Sequence, residues 1–446
     1  MNLEEPKNKN YCATIVSLKE FVQIPKADRI KSAIIFGNNV IVHKDAQSGE
    51  LGLFFPVETQ LSHEFVSANN LYRRAEMGNI DSSKTGYLET HRRIKCAKFL
   101  RVKSEGFWIP LSSLEYVFGH NDGRSIPLKV GDAFDKIDGH DICQKYIVGK
   151  SGSSSGNVNS KALSLKNSIV DGQFKFHFDT DNLRKNIHKI QPTDYVSISD
   201  KWHGTSAIYG KLLVNRNLCW ISKLMKKCGA HLEEATYKFA YSSRKVVKSV
   251  GGKFGEDVWG VVAKEIEDKI PASYTVYGEI VGYKPDGGAI QAASGGRPYH
   301  YGCAKGEHKF IVYRVKTTNV DGKTLELSVP QVREFCNKYG LQMMHELFYG
   351  PVSLFLGWAP NVSSWGEDGL ARWRDEFMNK LETRYVYDQM CPFNNKEVPA
   401  EGVVVRIDRL DECDSFKLKN FKFLEDETKK NDAGVLDMET QEAEQL

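Results

Sequence analysis

Short apolar runs of strand length recur along this chain, separated by turn residues, and helical spacing enters only in its second half. Within residues 11–150, "YCATIVSL", "SAIIFGNNVIVHK" and "LGLFFPV" are β-branched and aromatic runs divided by turn signals such as "FGNN" and "QSGE". "RRIKCAKFLRVKSEGFWIPL" adds two further strand candidates in which basic and apolar residues interleave. Short strands at this spacing predict a small barrel of OB type, with a plain β-sandwich as the alternative.

The stretch "VGKSGSSSGNVNSKALSLKNS" breaks the pattern, because its glycines and serines offer flexibility and no core. Beyond it strands and helices mix. "ISDKWHGTSAIYGKLLVN" has the pattern of a hairpin, and "LEEATYKFAYSSRKVVKSV" allows a helix in its first half. "SYTVYGEIVGY", "HKFIVYRVKT" and "EGVVVRIDR" are strands, whereas "EDVWGVVAKEIEDKI", "VPQVREFCNKYG" and "DGLARWRDEFMNKLETRY" carry apolar residues at helical spacing. The expected organisation is an OB-type β module over 1–150, a linker over 151–168, an α+β domain over 169–424 and a disordered acidic tail over 425–446.

Composition sharpens this only in part. A chain of 446 residues that is 41% hydrophobic and 26% charged is ordinary globular protein with length for two or three domains. No run of about 18 apolar residues exists to span a membrane. The start, "MNLEEPKNKNYCATIV", lacks the basic-then-apolar order of a secretory signal. The nine cysteines show neither a CxxC pair nor zinc spacing, which favours free thiols in a reducing, cytoplasmic or otherwise intracellular setting, including that of an infected host cell. Net charge is +4, and "EDETKKNDAGVLDMETQEAEQL" takes eight acids against two lysines, so the remainder is more basic and suits a polyanionic partner.

Candidate chemistry centres on "SISDKWHGTSAIYG". Lys201 ends a strand just before Gly204, where backbone can approach a ligand closely. A lysine amine attacks phosphorus only when neutral, so it needs burial or neighbouring cations to lower its pKa. "FKLKNFKFL" supplies such cations, because Lys417 and Lys419 lie two apart on a strand and share one face. Glu279 in "VYGEIVG" and Glu401 in "EGVVVRI" place carboxylates in apolar runs, where each needs a cation, a metal or a ribose hydroxyl. Two acids are what a nucleotide-bound Mg²⁺ asks of a protein. "KPDGGAIQAASGGRPYH" lacks the P-loop pattern and reads as a surface loop beside the site. Phe99, Phe107 and Trp108, set among cations, are candidate stacking platforms for nucleic acid, and Trp358, Trp365 and Trp373 are expected to pack helices.

The ordered set "KWHGTS", "YSSRKVV", "VYGEIVG", "FIVYRV", "EGVVVRI" and "FKLKN" resembles the motifs of the covalent nucleotidyltransferase superfamily, which comprises ATP-dependent RNA and DNA ligases and mRNA-capping enzymes. It is most similar to RNA ligases of the Deinococcus type, which use K-x-H-G-T and carry an OB module ahead of the catalytic domain. The resemblance covers most of residues 10–424. It implies an N-terminal OB-type β-barrel followed by an α+β, ATP-grasp-like nucleotidyltransferase domain with antiparallel sheets.

The implied activity is ATP-dependent sealing of 5′-phosphate and 3′-OH RNA ends, nicks above all, with Mg²⁺ or Mn²⁺ and without a membrane. By the resemblance Lys201 forms the lysyl-AMP, Glu279 meets the ribose or the metal shell, Tyr313 stacks on adenine, and Glu401 binds metal. Lys417 and Lys419 grip the α-phosphate, Arg244 touches nucleotide or the RNA 3′ end, and Asp200 frames the adenine pocket. Many ligases have Asp at the position of His203 and Arg at that of Ser206, so His203 is open between a catalytic and a turn-shaping task. A capping-type guanylyltransferase and a non-catalytic RNA-end-binding scaffold are the alternatives; the first normally carries its OB module after the catalytic domain.

Overall fold

In the computed structural model "ISDKWHGTSAIYGKLLVN" is not a hairpin: its two strands belong to different sheets. The structure describes residues 3–118, 128–149, 160–177, 180–216, 220–221, 224, 228, 234–251, 253–357, 367–409, 413–435 and 438. The strand Tyr195–Lys201 lies between Glu346–Pro351 and Gly402–Ile407, in a five-stranded sheet that continues through Ser415–Lys419 to Asp181–Asn182. All these pairings are antiparallel except the last. The strand Thr205–Asn215 lies between Ala235–Ser243 and Tyr274–Gly282 in the larger sheet, which also holds His308–Thr318. Only Trp202, His203 and Gly204 separate the two strands, so "WHG" is the crossing between sheets.

Residues Lys150–Phe423 with Val435–Leu446 form one unit, and Met1–Gly149 with Leu424–Gly434 form the other. In the larger unit each sheet has its own helical cover. The helices Val258–Ile266 and Val329–Tyr339 bury Val262, Ile266, Val332 and Phe335 against the larger sheet. The helices Val352–Leu356 and Glu367–Leu381 bury Phe355, Trp373 and Phe377 against the five-stranded one. Local chemistry sets their ends: the Asp257 carboxylate accepts the Gly260 N–H at 2.8 Å, and Gly340 closes its helix at φ 61°. The mixed α+β character, with antiparallel sheets, follows the sequence reading. The first half of "LEEATYKFAYSSRKVVKSV" does not: Ala235–Ser243 is a strand, because its ladder against Ala207–Asn215 outweighs local helical preference.

The smaller unit holds two apolar cores, around Phe55, Phe65 and Phe134 and around Leu18, Val40 and Phe54. Its strands form separate small sheets, of which the largest is four-stranded, and among the described residues none closes into a barrel. Leu424–Gly434 joins this unit through a buried ion pair: Arg93 meets Glu58 at 3.0 Å, and both engage Thr428, Asn431 or Asp432. Burial, the largest influence, raises the Glu58 pKa despite Arg93. Of the three aromatics expected as stacking platforms, Trp108 is buried and Phe107 packs against Phe55 and Tyr87, so only Phe99 is exposed. The hairpin that carries it, Ala97–Phe99 with Val102–Ser104, turns at Leu100 and Arg101 with φ of 47° and 71°. Each of these left-handed positions costs about 1–2 kcal/mol for a side chain of this size.

Within the segment expected as linker, Ser160–Ser168 is helical, and residues 151–159 lie outside the described residues. The segment expected as a tail starts within the helix Phe421–Asp432. Trp373 is buried as expected, while Trp358 and Trp365 fall outside the described residues. Eight cysteines are described and all are free. Among the described residues no helix is long and apolar enough to cross a membrane.

Candidate active site

Strand register brings three candidate residues into one row. Lys201 pairs with Gly402, and Gly402 pairs with Lys419, so the residue before Gly402, Glu401, stands between two lysines at neighbouring strand ends. Glu401 is 4% exposed, and its Oε1 lies 2.8 Å from Lys201 Nζ and 3.9 Å from Lys419 Nζ. Its Oε2 is buried, accepts no hydrogen bond and has His203 Nδ1 4.0 Å away. Leu418 is buried while Lys417 and Lys419 on the opposite face are half-buried, which is the alternation read from "FKLKN".

The crossing is pinned from several sides. Gly204 donates its N–H to Glu279 Oε1 at 3.1 Å, and its carbonyl accepts from Gln291 Nε2 at 3.0 Å. The His203 N–H donates to the Tyr301 hydroxyl at 2.7 Å, and its ring meets Tyr299 and Phe423 edge-on. Trp202 stacks on Tyr301 with ring centroids 4.4 Å apart. The Gly-rich segment after Lys284 is therefore no simple surface loop, because Ile290, Gln291, Ala293 and Tyr299 are buried behind the crossing. A β-carbon at Gly204 would run into the Ile280 carbonyl and would sit 2.8 Å from Val281 Cγ1 and 2.9 Å from Glu279 Cγ. Gly204→Ala is expected to cost about 1–3 kcal/mol of stability, read as a lower thermal midpoint. It should also spoil the site by pushing Glu279 away from the crossing.

Electrostatics here differ from the expectation that neighbouring cations would lower the Lys201 pKa. Burial, the largest influence, and Lys419 do pull the ammonium down, but Glu401 and Glu279 outweigh them and hold it above the ordinary lysine value. The sequence reading weighed the cations and left out how close register would bring the carboxylates. Asp200 accepts a hydrogen bond from His345 Nδ1 at 2.7 Å, and its backbone N–H donates to the His345 carbonyl at 3.0 Å. Burial nevertheless raises its carboxyl pKa.

Tyr313 lies on His308–Thr318, with its hydroxyl 3.3 Å from Ser206 Oγ and its pKa driven up by burial. Ser206 thus spends its hydroxyl on the expected adenine platform. Arg244 follows the strand Ala235–Ser243, close enough for its charge to act on Tyr313.

One residue of this site escaped the sequence reading. His177 sets its ring 5.5 Å from that of Tyr313, in a T-shaped contact, and its Nδ1 is buried without a hydrogen-bond partner. Burial first, then the charges of Arg314, Arg244, Lys201 and Lys417, hold its pKa well below the ordinary histidine value. The charges of these four cations thus act on one imidazole, and all of them favour its neutral form. Nothing in "FKFHFDT" signalled this, because the cations reach His177 from four separate segments.

The residues fit a divalent cation carried in with phosphates. Glu401 offers a buried carboxylate oxygen without a hydrogen bond, and Glu279 lies close enough to act on the same lysine. Among the described residues no group of three or more His, Cys, Asp or Glu forms a complete metal cage. Mg²⁺ or Mn²⁺ carried in with phosphates retains waters and phosphate oxygens and asks the protein for one or two carboxylates.

Comparison with known proteins follows the same lines. The family model described as RNA ligase matches residues 194–423. Among solved structures, a lysine-to-alanine mutant of Naegleria gruberi RNA ligase with ATP and Mn superposes with a TM-score of 0.56 at 14% identity, covering 95% of this chain and 99% of that one. The Naegleria gruberi RNA ligase with PPi gives 0.54 at 14% identity, covering 93% and 97%. A lysine-to-methionine mutant of that ligase with AMP and Mn gives 0.54 at 13% identity, covering 93% and 98%. No curated protein matches the sequence at a significant level.

Proposed function

The chain belongs to the RNA ligase family, and from that premise we propose that it joins 5′-phosphate and 3′-OH RNA ends with ATP, through a lysyl-AMP on Lys201 and an adenylylated RNA end. The observation that carries this is the row of Lys201, Glu401 and Lys419 at three adjacent strand ends. Those relatives solved with ATP and Mn, AMP and Mn, or PPi support the same choice of nucleotide and metal.

In the first step the neutral Lys201 amine attacks the α-phosphorus. The N–P bond forms, the bond to the bridging β-phosphate oxygen breaks, pyrophosphate leaves and the amine gives up a proton. Lys417 and Lys419 balance charge on the α-phosphate oxygens, Tyr313 offers its ring to adenine, and Glu279 fixes the crossing while reaching the ribose. Arg244 is read as a contact to nucleotide or the RNA 3′ end, and Asp200 as a frame of the adenine pocket. A divalent cation held by Glu401 and Glu279 would neutralise the two carboxylates that keep Lys201 protonated. In the second step an oxygen of the RNA 5′-phosphate attacks the same phosphorus, the N–P bond breaks and Lys201 regains its proton. In the third the 3′-OH attacks the 5′-phosphate phosphorus and gives up its proton, the P–O bond to AMP breaks, AMP leaves and the phosphodiester forms.

Nick sealing is the preferred substrate reading, and "KWHGTS" with the module over 1–150 supports the Deinococcus-type arrangement. The smaller unit is read as the nucleic-acid-binding module, OB-type in its short strands although its sheets stay separate. ATP use and free cysteines support an intracellular place. The test is transfer of label from α-³²P ATP to the protein, beside α-³²P GTP, followed by a chase with nicked RNA. An ATP-specific, acid-labile adduct that is consumed as the nick closes is the expected result. A GTP adduct would replace this reading with capping chemistry, and a protein that takes no label and arrives free of bound AMP by intact mass would be a binding scaffold.

A further inference from the structure

The hairpin Ala97–Ser104 breaks three rules of local structure at one spot. Its two-residue turn needs positive φ at both positions, for which Asn-Gly is the favoured pair, yet it holds Leu100 and Arg101 at 47° and 71°. Its tip is apolar and wet: Leu100 is 57% exposed and Phe99 40%. Lys98 stands directly opposite Lys103 in the ladder, where like charges repel.

Glu425 meets Lys98 at 2.8 Å and offsets part of the repulsion, but it leaves the tip as it is. The root, by contrast, is well fixed: Ser104 is buried, its Oγ accepts the Ile41 N–H at 3.5 Å, and the Glu105 N–H donates to the Asn39 carbonyl at 2.8 Å. A stiff root under a strained, apolar and basic tip is the arrangement of a contact element. Strain of this kind clusters at sites of contact and function.

We propose that this hairpin is a finger that touches the RNA strand, with Leu100 and Phe99 against base or ribose surface and Arg101 toward a phosphate. The partner follows from chemistry: three of the six residues from Lys98 to Lys103 are cationic and none is acidic, while apolar tips that meet bases between phosphate contacts are a recurrent way of gripping nucleic acid. The inference rests on reading the chain as an RNA-joining enzyme.

The test exchanges the tip for the turn that the backbone prefers. Leu100→Asn with Arg101→Gly relieves the strain, so the thermal midpoint is expected to stay or rise. Binding of a fluorescein-labelled nicked RNA duplex is expected to weaken at least tenfold, and the slope of log K against log salt to fall by about one for the lost cation. Unchanged RNA binding in this variant overturns the proposal and turns the tip toward a protein partner. Should the double variant lower the midpoint, Leu100→Ser and Arg101→Gln tested singly carry the same two outcomes. Self-adenylylation from ATP, run on the unsubstituted protein, keeps the readings apart. Its absence would sink the ligase chemistry, whereas loss of RNA binding by the tip variants is read without ATP.

Discussion

Lys201→Ala is expected to take self-adenylylation from ATP down to background, a loss on the order of 10⁶-fold by analogy with removal of other covalent nucleophiles. It should also abolish sealing of a 5′-phosphate nick, because the second step draws on the adduct of the first. Sealing of a nick supplied already adenylylated is expected to survive in measurable form. That step makes no N–P bond, and Glu401, Lys417 and Lys419 remain. The contrast is the informative part. A variant that lost all three steps alike, with an unchanged thermal midpoint, would mean that Lys201 acts as a fixed cation and that another group takes the AMP. Lys201 is a quarter exposed and its partner Glu401 is buried, so the substitution removes one charge from a buried pair. A modest loss of stability is therefore expected as well, and folding must be checked before the kinetics are read.

How far the sequence foretold this arrangement depends on which forces set each part. The strands of the larger unit were legible because apolar alternation is strong in "SYTVYGEIVGY" and "EGVVVRIDR", and the helices because "EDVWGVVAKEIEDKI" and "VPQVREFCNKYG" keep helical spacing. Lys417 and Lys419 on one face followed from strand period alone. What failed was pairing. Periodicity says that Tyr195–Lys201 and Thr205–Asn215 are strands, but not that Trp202 is drawn into the core with Tyr301 and Phe393 so that the chain crosses to a second sheet instead of turning back. The same gap hid the Lys201–Glu401 contact, which exists only because Gly402 sits opposite Lys201 in the sheet. It also hid His177, whose significance lies wholly in charges brought from elsewhere in the chain. The OB expectation drew on strand length and spacing as well as on the resemblance, and among the described residues the small sheets of this unit do not close into a barrel.

Glu401→Gln is the substitution with the next largest expected effect, and it separates two roles by pH. With ATP and a divalent cation, adenylylation should fall by about 10²–10³-fold, as when a group that stabilises developing charge is removed. Without nucleotide or metal the effect on the lysine runs the other way. The Glu401 carboxylate favours the charged ammonium and is a main reason that Lys201 stands above the ordinary lysine value. Replacing it with a neutral amide leaves burial and Lys419, both of which favour the free amine, against Glu279 alone. The pH at which Lys201 reaches half-maximal reaction with an amine-directed reagent, followed by peptide mass, is therefore expected to move lower. A charge-retaining Glu401→Asp should move that midpoint less than Glu401→Gln does while still losing adenylylation, because the carboxylate keeps its charge near Lys201 but is drawn back from it. If the midpoint stayed put in Glu401→Gln, the close ion pair would not govern the lysine. The site would then have to hold its nucleophile protonated by some other means before ATP arrives.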